Sequence, residues 1–166
     1  GDCNPAGRLP FSFDRSVAQI PVYYNKKAPQ SHDYVEMPAS PLYPFGYGLS
    51  YTSFDYSDLH LSAVTPRSFE VSFKVRNTGK YDGEEVAQLY LRDEYASVVQ
   101  PLKQLKHFAR FYLKRGEERE VKFILSEEDF SLVDRNLKRI VEPGTFQIMI
   151  GAASDDIRLQ TKVEIK

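Results

Sequence analysis

The sequence has 166 residues, enough for one domain with a real core plus an appendage. Its apolar fraction of 42% and charged fraction of 27% are ordinary for a globular chain, and a net charge of −1 offers no basic field to hold a polyanion, which argues against nucleic acid as the main partner. No apolar run approaches the roughly 20 residues of a membrane helix, so no membrane insertion is expected, and the single cysteine, Cys3, supports neither an internal disulfide nor a structural zinc site.

The first elements are set by proline. Pro5, Pro10, Pro21, Pro29, Pro38, Pro41 and Pro44 crowd the start of the chain, and only Pro66, Pro101 and Pro143 follow. Each removes a backbone donor and biases its predecessor away from helix. Residues 1–52 are therefore read as an extended, irregular arm, and the opening Gly1-Asp2-Cys3-Asn4-Pro5 as the interior of a longer protein. The arm is also aromatic, with Phe11, Phe13, Tyr23, Tyr24, Tyr34, Tyr43, Phe45, Tyr47 and Tyr51 among Ile20, Val22, Leu42 and Leu49. A chain of that composition needs a surface to lie on, either the domain that follows or a part beyond this sequence.

From residue 53 to 166 the pattern changes to period two. A weaker strand opens around Phe54–Leu61, and Phe69, Val71, Phe73 and Val75 then alternate with polar residues. Asn77-Thr78-Gly79 and Asp82-Gly83 mark a turn. Glu84–Arg92 is the next strand, with Ala87, Leu89 and Leu91 on one face, and Leu105–Leu113 another. Val121, Phe123 and Leu125 follow the Arg115-Gly116 turn, and Phe146, Ile148 and Ile150 follow Pro143-Gly144. Ile157, Leu159, Thr161, Val163 and Ile165 close the chain. Ser126-Glu127-Glu128-Asp129 has an N-cap with acids in the first turn, so one helical turn is expected there, before a turn at Val133–Asn136. Short strands separated by frequent turns predict an all-β fold: an antiparallel β-sandwich carrying an extended N-terminal arm.

Little in the chain looks catalytic. Glycoside hydrolysis needs two carboxyls facing each other across a sugar. The acids here are sequence neighbours, Glu84-Glu85, Glu117-Glu118, Glu127-Glu128-Asp129 and Asp155-Asp156, and adjacent strand residues point to opposite faces. They are read as solvated turn charge and helix capping. His32, His60 and His107 form no metal-ligand spacing, and Phe45-Gly46-Tyr47-Gly48 lacks the helix of a phosphate cradle. No catalytic, metal or cofactor residue is assigned. Sugar binding is the rival reading, because aromatic rings stack on sugars. There is no Trp, however, and the strand phenylalanines are assigned to the core face, which leaves the arm tyrosines. Their irregular, proline-broken spacing suits packing against a neighbouring domain better than a flat platform. Tyr43, Phe45, Tyr47 and Tyr51 are the candidate residues for interdomain packing or for a subsite contact.

Several long motifs carry a resemblance. Asn4-Pro5-Ala6-Gly7-Arg8-Leu9-Pro10-Phe11-Ser12-Phe13 resembles the close of the α/β domain of glycoside hydrolase family 3 enzymes, the β-glucosidase and β-xylosidase group. Arg15–Asn25 is similar to the segment that follows there, and Pro41–Thr52 to the family's C-terminal signature. Val141-Glu142-Pro143-Gly144 with Phe146–Gly151 resembles the penultimate hairpin of its fibronectin type III-like domain. The resemblance runs from residue 4 to 165, in the family's order. It implies that residues 1–52 are the tail of an α/β domain plus a linker, and that residues 53–166 are a fibronectin type III-like sandwich. The implied parent is an exo-acting, retaining β-glycosidase. Its nucleophilic Asp would lie in an N-terminal barrel and its acid/base Glu upstream of Gly7-Arg8-Leu9-Pro10, so no catalytic residue is carried over. The implied partners are the parent's barrel and α/β domains, and the implied address is periplasmic or secreted. Arg139 departs from the family, whose members often have an aromatic there. Without the parent's body the arm is expected either to fold back on the sandwich or to pair with a second copy as a homodimer.

Overall fold

The computed structural model describes residues 3–27, 33 and 36–166; Pro29, His32 and Tyr34 lie outside the described residues. In chain order the strands are β1 (Phe54–Thr65), β2 (Ser68–Asn77), β3 (Gly83–Asp93), β4 (Gln104–Leu113), β5 (Glu118–Leu125), β6 (Leu132–Val133), β7 (Arg139–Ile140), β8 (Gly144–Gly151) and β9 (Ile157–Ile165). All described pairings are antiparallel. They form a three-stranded sheet, β1-β2-β5, a four-stranded sheet, β4-β3-β8-β9, and the small hairpin β6-β7. The fold class is the one that the alternation predicts.

The two sheets close on each other through their apolar faces. Val71, Phe73 and Val75 of β2 and Val121, Phe123 and Leu125 of β5 share one core cluster with Ala87, Leu89 and Leu91 of β3, Leu113 of β4 and Ile148 and Ile150 of β8. Period-two spacing puts these residues on one side of each strand, and their removal from water is the main stabilising term. The predicted helical turn is a 3-10 turn, Glu127–Phe130. Asp129 accepts hydrogen bonds from the Ser126 backbone N–H (2.8 Å) and hydroxyl (3.0 Å), which fixes the turn's start. The turn delivers Phe130 edge-on to Phe69 and Phe146, where it seals one end of the core.

Two local features were not anticipated. The turn after Val133 is flanked by the strands β6 and β7, because the Asp134 carboxylate accepts from the backbone N–H of both Asn136 and Lys138, each at 2.8 Å. Arg139 in this hairpin pairs with Glu128 at the surface. The assignment of every strand phenylalanine to the core also needs correcting, since Phe108 is 67% exposed. It stands opposite Gln88 on the outer side of the four-stranded sheet, where it rims a groove shared with the arm.

Candidate functional site

The arm forms an irregular ribbon of its own. Residues 9–13 run antiparallel to residues 42–47: Leu9 N–H donates to Tyr47 O (2.9 Å), Gly46 N–H to Leu9 O (2.8 Å) and Phe13 N–H to Tyr43 O (2.8 Å). Pro10, Pro41 and Pro44 lack the N–H groups that a continuous ladder needs, so only the isolated bridge Phe13↔Tyr43 forms. A short 3-10 turn, Val17–Gln19, follows. The buried Gln19 amide donates to the carbonyls of Ala39 and Ser40, each at 3.0 Å, and closes the returning chain.

This ribbon lies on the outer face of the four-stranded sheet. Arg8 forms an ion pair with Glu85 of β3, their side chains 13% and 2% exposed. Glu85 is therefore not solvated turn charge: it continues the inward-facing row of Ala87, Leu89 and Leu91 at the mouth of the sandwich, where Arg8 reaches it. Three residues on, and on the outer face of the sheet, Gln88 donates to Gly46 O (3.3 Å) and Ala152 O (2.6 Å) and accepts from the Tyr90 hydroxyl (2.5 Å). Burial raises the Tyr90 pKa well above the ordinary tyrosine value. Gly46 has φ +81°, and a Cβ there would strike the Gln88 amide, so this contact needs glycine. Phe45 O accepts from Ser154 N–H (2.9 Å), and the Phe45 ring stacks on Tyr24 at 4.0 Å and 16°.

The four predicted packing residues accordingly divide. Phe45 faces the sandwich. Tyr43 is exposed and Tyr47 half-buried beside the mouth of the sandwich, the two rings 4.9 Å apart with planes tilted by 32°. Tyr51 is exposed, with its backbone N–H held by Asn4 Oδ1 at 2.6 Å. The structure adds two rings, because Phe13 meets Tyr43 edge-on (6.3 Å, 84°) and Phe11 meets Phe13 (5.1 Å, 43°). Phe11, Phe13 and Tyr43 are 52%, 44% and 41% exposed, so Phe11–Phe13–Tyr43–Tyr47 is a ladder of four rings, three of them outward-facing and the last half-buried. The alternation of Phe11 and Phe13 was the available signal for placing both on one side.

The ladder ends at a cleft of about 970 Å³ between the arm and the mouth of the sandwich, walled in part by Tyr47, Asp55, Tyr56, Glu85, Asp155 and Arg158. The Arg158 guanidinium lies 4.9 Å above the Tyr56 ring and pairs with Asp156 at 2.8 Å. Burial, reinforced by the Glu85 charge, raises the Tyr56 hydroxyl far above its ordinary pKa. Elsewhere Cys3 and His60 are exposed, and His107 stacks on Phe123 at 5.8 Å. Among the described residues, no group of three His, Cys, Asp or Glu side chains is placed to hold a metal ion. Nor, among the described residues, is any helix long and apolar enough to cross a membrane.

Residues 1–51 match the glycosyl hydrolase family 3 C-terminal domain, and residues 85–154 match the fibronectin type III-like domain. The chain is C-terminal sequence of glycoside hydrolase family 3. A β-xylosidase of Formosa agariphila is 44% identical over 95% of this chain, which spans 23% of that protein. A periplasmic β-glucosidase of Salmonella typhimurium is 43% identical over 95% of this chain and 22% of its own length. The β-glucosidase of Listeria innocua in complex with laminaribiose superposes with a TM-score of 0.91 at 38% identity, covering 100% of this chain and 25% of that one. The family 3 segment thus spans about a quarter of the length of the relatives that it matches. Its fibronectin type III-like sandwich is the expected one.

Proposed function

We propose that this segment is the non-catalytic structural end of a retaining exo-β-glycosidase of the β-glucosidase type, and that it holds the sandwich in fixed orientation to the catalytic barrel and α/β body. The observation that carries the reading is the exposed run Phe11–Phe13–Tyr43, continued by the half-buried Tyr47, on an arm whose other side is bonded to the sandwich. Covering one such ring is worth roughly 1.5–3 kcal/mol, so a few together make a rigid joint. Tilts of 43°, 84° and 32° between successive rings give no flat platform for a sugar, which weighs against a carbohydrate-binding or active-site-rim role. A periplasmic or secreted address for the parent follows from its relatives, one of which is named periplasmic.

The test compares the 166-residue chain with the full-length parent in hydrolysis of nitrophenyl β-glucoside and β-xyloside. Turnover is expected in the parent and none in the segment. Turnover by the segment that survives repurification and is lost on changing one carboxylate would refute the reading. A homodimer through the ladder is the competing use of the surface, and sedimentation of the segment distinguishes it.

A further inference from the structure

The ladder does not stop at its last ring, since Tyr47 is also part of the cleft wall. Both arginines of that wall are committed. Arg8 pairs with Glu85, and Arg158 pairs with Asp156 and donates to the Phe54 carbonyl. The Asp55 and Asp155 carboxylates line the same wall with no cation at ion-pair distance among the described residues. Lys103, whose charge interacts with Asp155, directs its ammonium to the Ser154 carbonyl. Within the wall the Tyr56 hydroxyl and the Arg8 Nε–H are enclosed, and neither has a hydrogen-bond partner among the described residues. Buried donors are nearly always satisfied in folded proteins. Two enclosed donors that lack an acceptor and two exposed, unpaired acids thus share one cleft, beside an apolar ladder.

We propose that this cleft receives a basic segment of the parent's α/β body, with a Lys or Arg side chain meeting Asp55 and Asp155 and the wall parting so that main-chain carbonyls reach Tyr56 and Arg8. The inference rests on the reading of the arm as an interdomain surface and names the chemistry of the partner. A polypeptide supplies acceptor oxygens and positive charge together. A saccharide supplies hydroxyls without charge and would favour a flatter wall. Charge complementarity of this kind fixes the register of a docked surface, while the apolar ladder supplies most of the affinity. Because the match to the family 3 C-terminal domain covers residues 1–51, the cleft wall and the body belong in part to the same family domain.

The experiment uses the full-length parent carrying Asp55→Lys and Asp155→Lys, with release of the C-terminal segment by limited proteolysis as the readout. At low salt, release is expected to be about tenfold faster than in the unaltered parent. The acceleration that about 0.5 M NaCl produces in the unaltered parent should disappear. The 166-residue chain with the same pair should keep its melting temperature, because both residues are exposed. If the reversal unfolds that chain, Asp55→Asn with Asp155→Asn takes its place, with a smaller acceleration expected. Phe13→Ala with Tyr43→Ala separates the two readings. Faster release from this pair, with none from the aspartate pair, overturns the basic occupant and leaves the ladder interface standing. Unchanged release from both overturns both. Saturable binding of laminaribiose to the 166-residue chain, lost on Asp155→Lys, would also overturn the basic segment by putting a sugar in the cleft.

Discussion

Glu85 occupies an inward-facing position at the start of β3, in the same row as Ala87, Leu89 and Leu91 and opposite the buried Phe111, where a carboxylate is cut off from water. Here it is enclosed, and the Arg8 guanidinium replaces the lost water. An ion pair this enclosed contributes little net stability, but removing one partner strands the other charge. Glu85→Ala should therefore cost about 3–5 kcal/mol in urea unfolding. Arg8→Ala combined with Glu85→Ala should recover a good part of that loss, since the two sites are coupled. Full additivity would mean that the pair is not formed in solution. The alternation that turns Ala87, Leu89 and Leu91 inward also turns Glu85 inward, but its partner was not legible, because the two residues are 77 positions apart.

At the scale of the element, β3 differs from its neighbours. β2 alternates buried and less buried residues as a one-faced strand should, whereas β3 is buried on both sides from Glu85 to Leu91. Its far end carries Asp93, half-buried and opposite Phe146. Burial raises the Asp93 pKa above the ordinary carboxylate value, the backbone N–H of Tyr95 offsets part of the rise, and Glu142 adds to it. An acid with a raised folded pKa binds its proton more tightly when folded. Its stabilising contribution is complete below the unfolded pKa and is lost as pH rises through the folded one. Asp93→Asn should thus raise the melting temperature at about pH 7 and change it little at about pH 3. An equal shift at both pH values would show that the effect is not one of charge. In the arm, by contrast, the element itself was legible: proline spacing excluded helix, and the ribbon stays at one bridge for the same reason.

At the scale of the whole molecule, the arm is a cover as well as a connector. It seats Arg8 on Glu85, the Gly46 carbonyl on Gln88, and Tyr24 against Phe45 and Tyr90. Removing residues 1–52 would bare Val86 and Tyr90 and leave Glu85 without its counter-charge. A chain of residues 53–166 alone is expected to unfold at lower urea than the full segment and to self-associate, as size-exclusion chromatography would show. A stable, monomeric 53–166 would mean that the arm adds nothing to the sandwich.

The sequence by itself determined the class of the fold, the order of the main strands and the capped turn at Ser126, because alternation, proline and capping act over a few neighbouring residues. It also carried the family in its long motifs. Only the tertiary structure decided which aromatics face outward, that Phe45 turns inward while Phe11 and Phe13 join Tyr43, and that Arg8 supplies the counter-charge of Glu85. Those outcomes depend on the arm folding across the sheet. Such contacts join residues tens of positions apart, and local periodicity holds no record of what covers a strand's second face.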